Sequence, residues 1–181
     1  MKLLNKDMFS VTGTNTASVT IPSDHRIICT RLGWDSPGAG TLVLYRASYR
    51  TKANAAVSNS TTLVIDTDAS GTCEGYTITT NDYVLVSNDS GTGTAWYLQS
   101  VSTVGAVSSS TRSLVLGGAI YCSADAAVYI VPAAQITTWT TAAESVRNIQ
   151  DAFCSFKAYP VHLLLTATGT CRFNGSIDIY A

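Results

Sequence analysis

The stretch Asp82-Tyr83-Val84-Leu85-Val86, closed by the turn residues Asn88-Asp89-Ser90-Gly91, predicts one short β-strand near the middle of a 181-residue chain. It lies inside a longer stretch, from Ala53 to Thr111, that contains five acidic residues and no lysine or arginine. Ten of the eleven basic residues lie on either side, in residues 2–52 and 147–172. This charge asymmetry predicts two folded bodies in one chain, an acidic middle and a mildly basic frame.

Four further strands are predicted around this one, at spacings of about ten to fifteen residues, which is typical of small β-domains. They cover residues 62–65, 94–104, 113–116 and 127–131. Five short strands in this arrangement favour a small closed β-barrel, to which we assign residues 60–132.

The flanking segments also read as strands, over residues 17–21, 26–34, 41–45, 161–168 and 172–180. The Pro- and Gly-containing turn at residues 35–40 predicts a hairpin between the second and third of these. Thr141-Ala142-Ala143-Glu144 fits a helix capping box, which predicts one short helix near residues 142–154. The predicted fold is all-β: a jelly-roll-like β-sandwich from residues 1–59 and 133–181, carrying the barrel as an insertion. A single twelve-strand jelly roll is the alternative.

Composition excludes several classes of protein. Charged residues make up 13% of the chain and the net charge is −1, which argues against both disorder and general nucleic-acid binding. No apolar run approaches the eighteen or so residues of a membrane helix. The polar surface must instead come from 25 threonines and 20 serines. The five cysteines are odd in number and form no CxxC pair, so they are interpreted as buried hydrophobic residues, and no cofactor is predicted.

Candidate catalytic and metal-binding residues are few. Asp66, Asp68, Ser70 and Glu74 match the first part of a calcium loop, but the twelfth position is Thr77 rather than glutamate, and the same residues favour an ordinary tight turn. No metal is therefore predicted, and this loop remains the one weak candidate. The two histidines, His25 and His162, are the only histidine bases for a hydrolase, and no Gly-x-Ser-x-Gly elbow is present. No catalytic residue is predicted.

One segment stands out as a candidate interaction surface. Residues 45–52 contain three cations and two tyrosines, which could contact an acidic neighbour through charge-assisted hydrogen bonds and stacking. The predicted partner-binding residues are Tyr45, Arg46, Tyr49, Arg50 and Lys52. The alternative interpretation is a solvated strand end.

Several motifs carry a resemblance to virion proteins. The middle of the chain resembles the Src-homology-type barrels common in virions. The matching residues are Leu63 to Asp66, Ser70-Gly71, Asp82 to Val86, Trp96 and Val128 to Val131. The flanks, with Val19-Thr20-Ile21-Pro22 and Gly175-Ser176-Ile177-Asp178, resemble β-sandwich modules of tailed bacteriophages.

This resemblance implies a non-enzymatic capsid decoration (cement) protein that assembles in the host cytoplasm, joins the virion and binds the major capsid protein or other virion proteins. It further implies a homo-oligomer, with a trimer favoured. The low charge and the lack of a long apolar run predict neither a nucleic-acid nor a membrane partner. A neck, tail or fibre-base protein, a glycan- or host-receptor-binding β module, and a hydrolase are the alternatives.

Overall fold

A computed structural model of the chain describes residues 3–12, 16–20, 26–35, 40–91, 96–140, 162–169 and 172–180. The described residues are predominantly antiparallel β-strand, as the sequence predicts. The chain divides into two compact units. We call Met1–Arg46 with Ile136–Ala181 the terminal unit, and Ala47–Gln135 the central unit. The predicted helix near residues 142–154 lies outside the described residues.

Thirteen strands follow one another in the described part of the chain: β1 (Leu3–Thr12), β2 (Thr16–Thr20), β3 (Arg26–Asp35), β4 (Gly40–Ala47), β5 (Tyr49–Lys52), β6 (Val57–Asp66), β7 (Tyr83–Ser87), β8 (Trp96–Ser108), β9 (Thr111–Cys122), β10 (Ala127–Val131), β11 (Ile136–Thr140), β12 (His162–Gly169) and β13 (Arg172–Tyr180). A short 3-10 turn, Ala133–Gln135, separates β10 from β11.

The terminal unit contains a three-stranded sheet, β1-β13-β3, and a four-stranded sheet, β11-β4-β12-β2. The first and last strands of the chain pair directly, with Thr12 opposite Arg172. On its other side β13 pairs with β3 along nearly its whole length. Strand β1 also lies against β2 and β12 of the four-stranded sheet. Both ends of the chain therefore build one unit.

The predicted hairpin between residues 26–34 and 41–45 is wrong. Strands β3 and β4 belong to different sheets, because β3 pairs with the C-terminal β13 and β4 pairs with β11. A turn sequence favours a reversal of the chain, but it does not determine whether the two strands that it joins pair with each other.

The central unit is one curled antiparallel sheet with the order β5-β10-β7-β8-β9-β6. Strands β6 to β10 overlap the five strands predicted from sequence, and β5 adds a sixth because it pairs with β10. The unit therefore begins before residue 60, the predicted boundary, which falls inside β6. The two outermost strands approach each other where Ala53, just after β5, forms an antiparallel bridge with Ile65 of β6. The amide of Asn54 donates to the Val64 carbonyl at 2.8 Å beside this bridge.

Alternation along the strands builds the core of the central unit. Val84 and Val86 of β7, and Val128 and Ile130 of β10, are fully buried on one side of the sheet. Burying one such side chain stabilises a fold by about 1.5–3 kcal/mol. Leu63, Ile65, Leu114 and Ile120 of β6 and β9 belong to the same cluster. This core fixes which residues of each strand face outward.

Candidate functional site

Strand β5 presents two of the predicted partner-binding cations on one face. Its residues alternate, so that Tyr49 and Thr51 are half-buried while Arg50 and Lys52 are exposed. The backbone amide of Arg50 donates to Glu74 Oε2 at 3.0 Å, and Arg50 Nε lies 3.8 Å from Glu74 Oε1. Lys52 Nζ lies 3.6 Å from Asp125 Oδ1. Both cations are thus paired with acids of their own unit.

Glu74 reaches β5 because a tight two-residue turn presents it. Cys73 and Tyr76 exchange two backbone hydrogen bonds of 2.9 Å, and the residues between them, Glu74 and Gly75, have φ values of 49° and 83°. Positive φ at both positions is typical of a type I′ turn, in which the second residue is most often glycine. The turn also stacks Tyr76 on Tyr49, with ring centroids 4.5 Å apart and planes 10° from parallel.

A buried carboxylate lies behind this turn. Asp82 is 1% exposed, and its Oδ2 accepts hydrogen bonds from the Tyr76 hydroxyl at 3.0 Å, the Thr79 amide at 2.8 Å and the Thr79 hydroxyl at 3.0 Å. Its Oδ1 accepts the amide of Ala133 at 2.9 Å. Burial, followed by the hydrogen bond to Asp82 and the Asp82 charge, raises the pKa of Tyr76 to about 12. One carboxylate therefore joins the loop before β7 to the segment after β10.

In the calcium-loop candidate, the carboxylate oxygens of Asp66 and Asp68 already accept hydrogen bonds from neighbouring residues. Asp68 Oδ1 accepts the amides of Ser70 at 2.8 Å and Thr72 at 2.9 Å, and its Oδ2 accepts the Thr72 hydroxyl. These bonds, those from Thr72 first, hold the pKa of Asp68 below its ordinary value. Asp66 Oδ1 accepts the side-chain amide of Asn54 at 2.9 Å.

Ser70 and Glu74, the other two residues of the calcium-loop candidate, also bond to groups of the protein itself. Ser70 contributes its backbone amide to the turn, and the Glu74 carboxylate faces Arg50 on β5. Within residues 40–91 and 96–140 and the other described segments, no group of three or more His, Cys, Asp or Glu side chains is placed to hold a metal ion. The structure does not assemble these four residues into a metal site.

Every charged side chain of the central unit is bound within that unit. Arg112 donates from Nε to the Gly105 carbonyl at 3.0 Å and from Nη1 to the Gly71 carbonyl at 3.2 Å. Asp89 Oδ1 accepts the Ser123 amide at 3.0 Å. The full set comprises six acids and three bases, a formal charge of −3: Asp66, Asp68, Glu74, Asp82, Asp89, Asp125, Arg50, Lys52 and Arg112.

The structure divides the predicted partner-binding residues between the two units. Tyr45 and Arg46 lie at the end of β4 in the terminal unit, and burial lowers the pKa of Arg46. Tyr49, Arg50 and Lys52 belong to the central unit. Sequence reasoning missed the acids that neutralise Arg50 and Lys52, because both lie in distant turns.

The two histidines of the hydrolase alternative are located only in part. His162 is the first residue of β12, opposite Thr20 of β2, and His25 lies outside the described residues. Among the described residues, none forms a helix with the length and apolar character needed to cross a membrane. No protein-family model matches the chain, and no curated protein matches it in sequence.

Proposed function

We propose that the chain is a non-enzymatic structural protein of a virion, which binds the capsid surface and stabilises it as a decoration or cement protein. The observation that carries this proposal is the bonding of all nine charged side chains of the central unit to that unit itself. A catalytic site keeps charged groups poised toward a substrate, with pKa values tuned by their surroundings. Here the charged groups hold turns, strand edges and loop ends in place, which supports a mechanical role.

The finer architecture is part of the same proposal. We place the two sheets of the terminal unit face to face as a β-sandwich, supported by the position of β1 against β2 and β12. We interpret the central unit as a small closed barrel, with six strands rather than the five predicted. The bridge between Ala53 and Ile65 supports closure, since it joins the two outermost strands of the curled sheet. The barrel would then be an inserted domain that leaves the sandwich at Arg46 and returns at Ile136.

Attachment follows from the charge distribution. The terminal unit has eight bases and six acids, a formal charge of +2, against −3 for the central unit. We propose that the terminal unit docks on the major capsid protein and that strand β5 of the central unit adds a second contact with it. Arg50 and Lys52 contribute to docking because exposed ion pairs are worth only about 0–1 kcal/mol, so acids of a partner can replace Glu74 and Asp125 at little cost. Trimeric assembly would repeat each contact by symmetry.

The proposal is tested by restoring the purified chain to particles that lack it. We expect the chain to bind the particles and to raise the temperature at which they rupture. Particles that bind none of the chain, or that rupture at an unchanged temperature when fully occupied, would contradict a cement role. Binding confined to one vertex or to the tail would instead indicate the neck, tail or fibre-base alternative.

A glycan- or receptor-binding role is the second candidate, and one aromatic pair favours it. Trp96 and Tyr129 have ring centroids 5.7 Å apart. They lie on the sheet face opposite the core, since Val128 and Ile130 on either side of Tyr129 point into the core. Both rings are half-buried, and Leu85, which pairs with Tyr129 on the same face, is 1% exposed, so a sugar would stack on the accessible part of the rings only. Saturation-transfer NMR would show saturation passing from the protein to bound host-surface glycans if this role is correct, and Trp96→Ala would reduce it.

A further inference from the structure

A three-stranded face of the central unit lies opposite its core. Strands β6, β9 and β8 are neighbours in the sheet, and their inward residues belong to the buried cluster. Because side chains alternate, the intervening residues face outward. Thr62, Val115 and Thr103 lie side by side across the three strands, and all three are exposed. We call this outward surface of β6, β9 and β8 the hydroxyl face.

The hydroxyl face is uncharged except at one end. Its exposed residues are Ser58, Thr62, Thr103, Val115, Gly117 and Ala119. Its one charged residue is Asp66 at the end of β6, which lies on the same side as Thr62 and accepts the side-chain amide of Asn54. Arg112 is bonded at the rim of the core, and the other charges of the central unit lie on β5 or in loops. Exposed antiparallel sheets usually carry charged side chains, which discourage association between copies. The middle of this face has no such protection.

We propose that the hydroxyl face is a contact between copies of this chain. The charge distribution favours a second copy over another partner. Two central units, each with a formal charge of −3, repel each other least when they meet through the middle of this face, which carries no charge. A basic partner would be attracted instead to the acidic turns. Burying threonine, serine and alanine also desolvates no ion and orders few rotatable bonds.

The size of the face sets the strength of the contact. Three strands about 4.8 Å apart and about eight residues long present about 350 Å². A stable dimer buries about 800 Å² per partner, so this contact alone is weak. It becomes effective when copies are already held side by side, as on a lattice, where symmetry adds many weak contacts. The inference therefore deepens the proposed function by naming the neighbouring copy as a partner.

Two valines of the same hairpin provide a matched test. Val115 is 38% exposed at the centre of the hydroxyl face, and Val107 is 39% exposed near the hairpin end, where it packs against the Gly71 loop. Sedimentation velocity of the full chain, at concentrations up to about 1 mM, should show self-association for wild type. We expect Val115→Glu to weaken it at least about tenfold and Val107→Glu to change it less than about twofold.

Three results would overturn the inference: a wild-type chain that stays monomeric at every concentration, equal effects of the two substitutions, or a larger effect of Val107→Glu. Circular dichroism spectra confirm that each variant is folded, and Thr62→Lys provides the same test if Val115→Glu does not fold.

The outcome of this test is separable from that of the proposed function. A Val115→Glu chain that associates like wild type and still binds particles contradicts the hydroxyl face alone, whereas a wild-type chain that associates but binds no particles contradicts the cement role alone.

Discussion

Replacing Asp82 with asparagine tests the central unit at its most connected side chain. The change keeps the shape of the side chain but removes its charge and one acceptor oxygen. If the amide oxygen stays toward Tyr76 and Thr79, three charge-assisted hydrogen bonds become neutral ones, each weaker by about 1 kcal/mol. The new NH2 group then opposes the amide of Ala133, which loses its acceptor at a cost of about 1–3 kcal/mol.

The neutral amide is easier to bury than the carboxylate, which offsets part of this loss. We expect Asp82→Asn to lower the free energy of unfolding of the central unit by about 3–5 kcal/mol. Hydrogen exchange of β7 and β8 amides in a urea series measures this quantity for the central unit specifically. Asp89→Asn is the control, because Asp89 lies in an exposed loop and accepts the Ser123 amide, and its urea midpoint should stay close to wild type. A change below about 1 kcal/mol for Asp82→Asn would refute the assigned role.

Three further predictions follow from the same geometry. Ser109 and Ser110 have φ values of 48° and 66° at the β8–β9 turn, and asparagine followed by glycine is favoured where both φ values are positive. The double substitution Ser109→Asn with Ser110→Gly should therefore raise the free energy of unfolding by about 1 kcal/mol. Destabilisation in the same urea series would contradict this. Because the folded-state pKa of Tyr76 is raised to about 12, its contribution to stability should be complete below pH ~10, the unperturbed tyrosine value, and lost as the pH rises through about 12. In an ultraviolet titration the difference between wild type and Tyr76→Phe should therefore appear near pH 12, and a difference centred near pH ~10 would contradict it. Changing both Arg50 and Lys52 to serine should reduce particle occupancy at fixed chain concentration while leaving the fold intact, and undiminished occupancy would remove them from the docking surface.

Local sequence signals located most of the strands but not their partners. Strands β7 and β10 match the predicted segments within one residue, because short apolar runs bounded by turn residues are local signals. The pairing of β3 with β13 joins residues at opposite ends of the chain, and nothing in the turn after β3 encodes it. The composition of residues 45–52 predicts a charged surface segment, yet β5 pairs with β10 in the central sheet.

The candidate site shows the same limit. Asp66, Asp68 and Ser70 predict the acidic turn, because such residues are favoured in any tight turn. The hydrogen bonds that decide its role come from Thr72 and Asn54, and no spacing rule predicts them. The sequence around Asp82 predicts only the start of a strand. Its donors lie before it and fifty-one residues after it, so its burial could not be seen in the sequence.

The most direct test of the adhesive role is quantitative mass spectrometry of purified particles, which gives the number of copies of this chain relative to the major capsid protein. We predict many copies per particle, in a fixed ratio to the capsid lattice. Complete absence of the chain from purified particles would contradict the central claim.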